Sequence, residues 1–398
     1  MSRRAPGAVA RPKVVLLGML TKMPVAGVVW QTLQYLVGFE RLGYATYYVE
    51  AHGCTPSAFM LEQEDDGERG AAEFIDRTLR RFDLGGRWAY HALHGSGRFY
   101  GMDETSLKTL YRSAALIVNL HGGTIPLPEH SSGGRLVFLE TDPVDLQMEL
   151  YRNRKEAIDY LKPHDILFTF GENFGRPGCK LPVDRRFHFL PTRQPIVLDF
   201  WERAGVKPGR FWTTVGNWRQ EQRDISFEGE TYRWSKHHEF LKFLDLPARS
   251  GQPFELALSR YHDADRRLLE KKGWRVRPAS ALSTDIDAYR DYIAGSRGEF
   301  TVAKDQNVRL RTGWFSDRSA AYLAAGRPVI TQETGFSDFL PVGQGLFGFQ
   351  TMDDILPALE RINADYGRAC QAATNVAREY FDASVVLKKL LTEVGCSN

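Results

Sequence analysis

Runs of consecutive apolar residues alternate along this chain with segments whose apolar positions recur every three or four residues. "KVVLLGML" is the first such run. "VVWQTLQYLVGFERLG" follows with helical spacing at Val29, Leu33, Leu36 and Val37, and stops at Gly43. A glycine there suits a helix C-terminus, where a left-handed residue releases the chain. "YATYYVE" comes next as a strand. The chain thus opens with a strand–helix–strand unit, which predicts a parallel sheet. "AALIVNL", "RLVFLE" and "DILFTF" extend the strand series, with a long helix expected from about Asp145 to Tyr160.

A Pro-rich stretch without period, "LPTRQPIVLDFWERAGVKPGRF", predicts a crossing into a second unit. There the strands "RFWTTVGN", "FELALS", "GEFTVA", "RPVIT" and "GLFGF" are separated by helices starting near Ser235, Asp263, Asp285 and Ser316. Three helical segments follow from Met352. The pattern predicts an α/β protein of two Rossmann-like parallel-sheet domains facing across a cleft. The first covers residues 1–195, with a flexible tail over 1–12, and the second covers 196–380. A C-terminal helix over 381–398 is placed to return to the first.

The length of 398 residues agrees with two domains. A net charge of +3 argues against a protein that holds nucleic acid by broad charge. Cys54, Cys179, Cys370 and Cys396 are scattered, with neither a zinc spacing nor a disulfide framework, so a reducing cytoplasm is expected. No apolar run approaches the ~20 residues that span a bilayer.

Polar residues gather at the predicted carboxyl ends of strands, where ligands bind in such sheets. "TKMPVAG" places Lys22 and Gly27 before the first helix. "VNLHGGTIP" places His121 at a strand end, where a histidine suits a general base. His52 in "VEAHG" has the same setting and rivals it. "LETDPVD" offers Glu140 and Asp142: capping of the following helix is the first reading of Asp142, and Glu140 or Asp142 as base is the sharper one. "FTFGENFG" adds Glu172 and Asn173. In the second half, "TGWFSDRSAAYLAAGRPVITQETGF" puts Ser316 and Asp317 at a helix N-terminus, with Arg309, Arg311 and Arg318 close in sequence. Uncapped amides and the helix dipole favour a phosphate there. Small residues at 320, 321, 324 and 325 allow close packing on the sheet. "STDIDAY" holds Asp285 and Asp287, but their place at a helix start predicts capping rather than metal binding.

"AAYLAAGRPVIT" resembles the C-terminal-domain signature of GT-B-fold nucleotide-sugar glycosyltransferases, and "LLGML…AGVVWQTLQYLVGFERLGY…YYVE" resembles their opening strand, glycine loop and helix. The resemblance in topology covers nearly the whole chain, and sharp motif identity is confined to about residues 312–336. It implies a GT-B architecture and metal-independent transfer of a sugar from a nucleoside-diphosphate donor to an acceptor hydroxyl on a small molecule or glycan. No cofactor beyond the co-substrate is implied. Gly216, Asn217, Arg219 and Lys236 match the diphosphate loop. Ser316, Asp317 and Arg318 would meet the phosphates, Gln332, Glu333 and Thr334 the donor sugar or nucleoside, and Lys304 the base pocket. Lys22 would face donor phosphate across the cleft, beside Gly27. His121 or Asp142 would serve as base. The chain departs from the pattern at Gly313 and Ala321, where many retaining members carry glutamates; Asp317 and Glu333 are the nearest substitutes. Nucleotide-sugar epimerases share the topology, and the missing glutamates equally suit a non-catalytic nucleotide-sugar-binding protein.

Overall fold

A computed structural model describes residues 10–60, 65–202 and 205–396. Most of the expected tail over 1–12 therefore lies outside the described residues. The first half forms one sheet of eight strands: β1 (Lys13–Leu17), β2 (Ala45–Glu50), β3 (Trp88–His91), β4 (Phe99–Tyr100), β5 (Ala114–Leu120), β6 (Arg135–Glu140), β7 (Ile166–Thr169) and β8 (Phe189–Pro191). Their spatial order is β4-β3-β2-β1-β5-β6-β7-β8, and only the short β4 runs antiparallel to its neighbour. Helices cover both faces, so alternate residues of each strand enter different cores. Val14, Leu16, Leu116 and Val118 join one cluster, while Val15, Leu17 and Ile117 join the other. This two-sided burial makes the strands continuous apolar runs.

A two-stranded hairpin, β10 (Ile225–Phe227) and β11 (Glu230–Tyr232), lies apart from the second sheet. That sheet holds β9 (Trp212–Asn217), β12 (Phe254–Ser259), β13 (Trp274–Pro278), β14 (Gly298–Thr301), β15 (Val329–Gln332) and β16 (Leu346–Phe349). Their order is β13-β12-β9-β14-β15-β16, all parallel. This is the doubly wound order, in which connections leave β9 and β14 in opposite directions and open a crevice at the carboxyl ends.

The helix Ala26–Arg41 ends as its sequence requires: Gly43 has φ +92° and its amide donates to Glu40 O at 3.0 Å. The single helix expected from Asp145 to Tyr160 is two, Asp145–Tyr151 and Lys155–Leu161. Asn153 breaks it by taking a left-handed φ of +55°, which asparagine tolerates better than most residues. Strands β3, β4, β8 and β13 and the hairpin were not anticipated. Asp285 caps the helix Ile286–Ala294 through the amides of Asp287 and Ala288, as its position suggests.

Two chain crossings join the halves side by side. Ile196 receives and donates backbone hydrogen bonds with Phe381 and Ala383, forming a parallel bridge to Asp382. The helix Ala383–Val394 then packs on Ala26–Arg41 in the first half. Gly38 makes that contact close, because a Cβ there would stand 2.5 Å from Leu387 Cδ1. No helix among the described residues is long and apolar enough to cross a membrane.

Candidate functional site

The carboxyl ends of the two sheets face each other, and direct bonds cross between them. Lys304, just after β14, places Nζ 2.6 Å from Asp142 Oδ2, just after β6. Trp314 donates its indole N–H to Thr141 O at 3.0 Å. Trp30 donates to Ile286 O at 2.8 Å, and the Asn173 amide to Thr312 O at 3.1 Å.

Two cavities open along this seam. The larger, about 470 Å³, lies between the start of the first helix and the ends of β9, β12 and β13. Gly27 and Gln31 form one wall, and Gly216, Asn217, Ser259, Tyr289, Asp317 and Arg318 are opposite. Gly27 sits within reach of Tyr289: a Cβ there would be 3.8 Å from Oη. Ser316 occupies the N-cap of the helix Asp317–Ala324, yet its side chain makes no capping hydrogen bond. Arg318 is not a free phosphate ligand. Its Nε donates to Glu299 Oε1 at 2.6 Å, and its terminal nitrogens to Val215 O and Thr301 Oγ1. Burial opposes its charge, but Glu299, together with Tyr289 and Tyr322, more than compensates and the guanidinium stays cationic. Burial pushes the Asp317 carboxyl up, with Arg318 pulling the other way.

Lys236 differs from the other cations here. No carboxylate among the described residues forms an ion pair with it, and its Nζ lies 5.6 Å from the Trp314 ring centroid. Burial, then repulsion from Arg318 and Lys304, lowers its pKa to about 7.

The smaller cavity, about 230 Å³, lies at the ends of β5 and β6. His121, Glu140, Thr141, Asp142, Asp145, Leu146 and Tyr160 line it from the first half, and Arg223 and Trp234 from the second. His121 has φ +63°, and its Nδ1 lies 2.9 Å from Thr141 Oγ1. Its Nε2 has no protein partner, nor has Asp142 Oδ1. Burial lowers the His121 pKa to about 4. Burial likewise raises Glu140 to about 8, against the pull of hydrogen bonds from Thr169 (2.6 Å) and Gln147. At neutral pH this cavity therefore holds a neutral imidazole and a largely protonated glutamic acid.

Several sequence expectations take a different form. Asp142 is not a helix cap: Val144 occupies that position, and Asp142 pairs with Lys304. Lys304 lies over the Trp234 ring, 3.1 Å from its centroid, and closes the seam instead of lining a base pocket. Arg219 turns to Asp265 in a two-pronged ion pair at 2.7 and 2.9 Å. Gln332 bridges Ala303 N and Glu239. Glu333 accepts from Gly335 N, and Thr334 Oγ1 donates to Trp314 O at 2.6 Å. These three brace the turns beside the crevice and line neither cavity, since their polar atoms are spent on the fold. Lys22 is exposed and lines neither. Arg309 pairs with Glu230 and Asp305, and Arg311 with Asp338. His52 is buried, bonded at 2.6 Å to Glu50, whose carboxylate also holds the amide and hydroxyl of Thr21. Glu172 pairs with Arg193 at the crossing, away from the smaller cavity. Gln31, Tyr289, Arg223 and Trp234 went unnoticed because nothing in their local sequence separates a cavity wall from a core or surface position. Among the described residues no group of three or more His, Cys, Asp or Glu side chains could hold a metal ion.

The chain's architecture, two doubly wound sheets with facing carboxyl edges and a C-terminal helix crossing back, is the GT-B fold. Solved glycosyltransferase structures match it over nearly the full length. AviGT4, involved in avilamycin A biosynthesis, matches with a TM-score of 0.54 at 12% identity, covering 96% of this chain and 97% of its own. Alr3699/HepE from Anabaena, solved with UDP and glucose, gives 0.55 at 11%, covering 97% and 100%. An alpha-glucosyltransferase solved with UDP gives 0.58 at 10%, covering 97% and 100%; it is also solved with a 13-mer DNA containing an HMU base. No protein-family model matches the chain, and no curated protein matches it in sequence.

Proposed function

We propose that this protein transfers a glycosyl group from a nucleoside-diphosphate sugar to an acceptor hydroxyl. The observation that carries this reading is the 470 Å³ cavity at the carboxyl ends of β9 and β12, with Lys236, which does not itself line the cavity, coupled electrostatically to Asp317 and Arg318 at its edge. A nucleoside would occupy the wall of Ser259, Ala279 and Tyr289. The diphosphate would lie towards Gly27, Gly216 and the start of the helix Asp317–Ala324, displacing the Asp317 carboxyl from the first amides, with Lys236 as countercharge. A cation held there stabilises the charge that develops as the diphosphate leaves.

In the transfer, the acceptor oxygen forms a new bond to the anomeric carbon. The bond from that carbon to the diphosphate oxygen breaks, and its electron pair leaves with the diphosphate. The acceptor proton goes to Asp142, whose Oδ1 is unpartnered, with the neutral His121 beside it orienting the hydroxyl. The cationic Arg318 at this edge, with Lys236 able to take up a proton as the diphosphate binds, makes metal-independent transfer the reading to test first. The small net charge favours a small molecule or glycan over nucleic acid as acceptor.

A thermal-shift screen of UDP, GDP, ADP and dTDP tests the donor site. A ligand at 100 times its Kd stabilises by about 2.7 kcal/mol. At least one diphosphate is expected to raise Tm; no shift from any of the four would remove the donor assignment. Product analysis with the matching nucleotide sugar then separates transfer from epimerisation and from binding without turnover.

A further inference from the structure

The smaller cavity is built by both halves of the chain, and its size and lining restrict what can enter. We propose that it binds a single sugar-sized polyol, such as one pyranose ring, as the acceptor. This rests on the reading of the protein as a sugar-transferring enzyme.

The cavity volume is about 230 Å³, large enough for one pyranose with its hydroxyls. It is below the ~300–1,000 Å³ of pockets that enclose larger ligands. The hairpin sets this limit. Ile225 and Tyr232 pack into a cluster with Val144 and Met148 at the helix Asp145–Tyr151. Arg152 donates to Ser226 O at 2.9 Å, and the Tyr151 and Phe227 rings meet edge to face at 5.4 Å. The chain from β9 to Lys236 is thereby fastened over the ends of β5 and β6. It supplies Arg223 and Trp234 as the outer wall.

The lining selects hydroxyls. His121 Nε2 and Asp142 Oδ1 are unpartnered polar atoms that a buried site leaves open only at a cost. One is a carboxylate acceptor and the other an imidazole nitrogen. Two neighbouring hydroxyls, each able to donate and accept, satisfy both. An apolar aglycone would leave both unmet. Lys304 and Arg223 already lie 3.1 and 4.8 Å from the Trp234 ring centroid, so two cations compete with an aromatic acceptor for its faces.

The test is saturation-transfer NMR on the full chain, with and without saturating nucleoside diphosphate. The probes are methyl hexopyranosides, a reducing disaccharide and 4-nitrophenol. Leu146→Trp fills the cavity without touching the nucleotide cavity, and Leu146→Phe is the milder replacement if tryptophan lowers Tm strongly. At least one methyl hexopyranoside is expected to bind wild type. Its affinity should fall about tenfold or more in the filled variant, while the nucleotide-induced Tm shift is unchanged. The proposal is overturned if no methyl hexopyranoside binds in either condition, if binding survives the filled cavity, or if only the disaccharide or 4-nitrophenol binds. Failure of the donor reading shows separately, as absence of any nucleotide-induced shift.

Discussion

Lys304 and Asp142 are 162 residues apart and meet at 2.6 Å, one at the end of a strand in each sheet. Lys304 is nearly buried, whereas Asp142 keeps 39% of its side chain exposed. Burial lowers the Lys304 pKa, and Asp142 opposes that shift. The pair thus joins the halves at the point where the proposed base stands. Lys304→Met removes the countercharge and frees Asp142 to turn. A double-mutant cycle with Asp142→Asn should give a coupling energy of about 0.5–3 kcal/mol in urea unfolding, towards the lower end because Asp142 is partly screened by solvent. A coupling near zero would mean the contact contributes nothing to closure.

Lys236 makes nucleotide binding depend on pH. Its folded pKa of about 7 lies below the ordinary 10.5. Between those values the unfolded chain holds a proton that the folded chain lacks, so this group makes stability rise with pH across that window. A bound diphosphate favours the ammonium and reverses the preference. Above about pH 7 binding should therefore take up a proton, and affinity should fall by up to about tenfold per pH unit. Calorimetry in buffers of different ionisation enthalpy measures the uptake. Lys236→Met should abolish it and weaken binding at pH 6.5. A wild-type affinity flat from pH 7 to 9 would remove Lys236 from the phosphate site.

The strand series was legible because each strand is buried on both faces and so forms an unbroken apolar run. "AALIVNL", "RLVFLE" and "FELALS" coincide with β5, β6 and β12. β13 escaped notice because Arg275 and Arg277 alternate with Trp274 and Val276 on an edge strand, which dilutes the run. The site was legible only as positions along the chain. Strand ends place His121, Glu140 and Asp142 in one cavity, as their spacing suggested. Which cation is free and which is committed depends on long-range partners. Arg219, Arg318 and Lys236 look alike in sequence, yet Asp265 engages the first, Glu299 the second, and no carboxylate among the described residues the third.

Glu140 produces the opposite pH trend. Its folded pKa of about 8 lies above the ordinary 4.5. Between those values the folded chain holds a proton that the unfolded chain loses, so this group's contribution to stability falls as pH rises from about 4.5 to about 8. Glu140→Gln preserves shape and hydrogen bonding without the charge. The variant should match wild type in Tm near pH 5 and exceed it at pH 9. Equal Tm values at pH 9 would show that the carboxyl ionises there without penalty. In the window from about 7 to 8, Lys236 and Glu140 act in opposite directions, so each variant is needed to resolve the other.

Gly313 stands where the resemblance to retaining glycosyltransferases places a glutamate, and its backbone explains why none is present. Its φ is +77°, a conformation that side chains beyond glycine rarely adopt. A Cβ there would stand 2.8 Å from the Asn173 amide nitrogen, which donates to Thr312 O and holds the two halves together. Its own amide donates to Thr334 O at 2.8 Å, so the turn is fixed from both sides. Gly313→Ala should cost more than about 1 kcal/mol, since alanine at a positive φ is strained even where space allows. Gly313→Glu should cost at least as much and should not increase turnover. Urea unfolding of both variants, with donor hydrolysis measured alongside, checks this. A stable Gly313→Glu variant with raised turnover would show that this turn can be rebuilt to carry the glutamate.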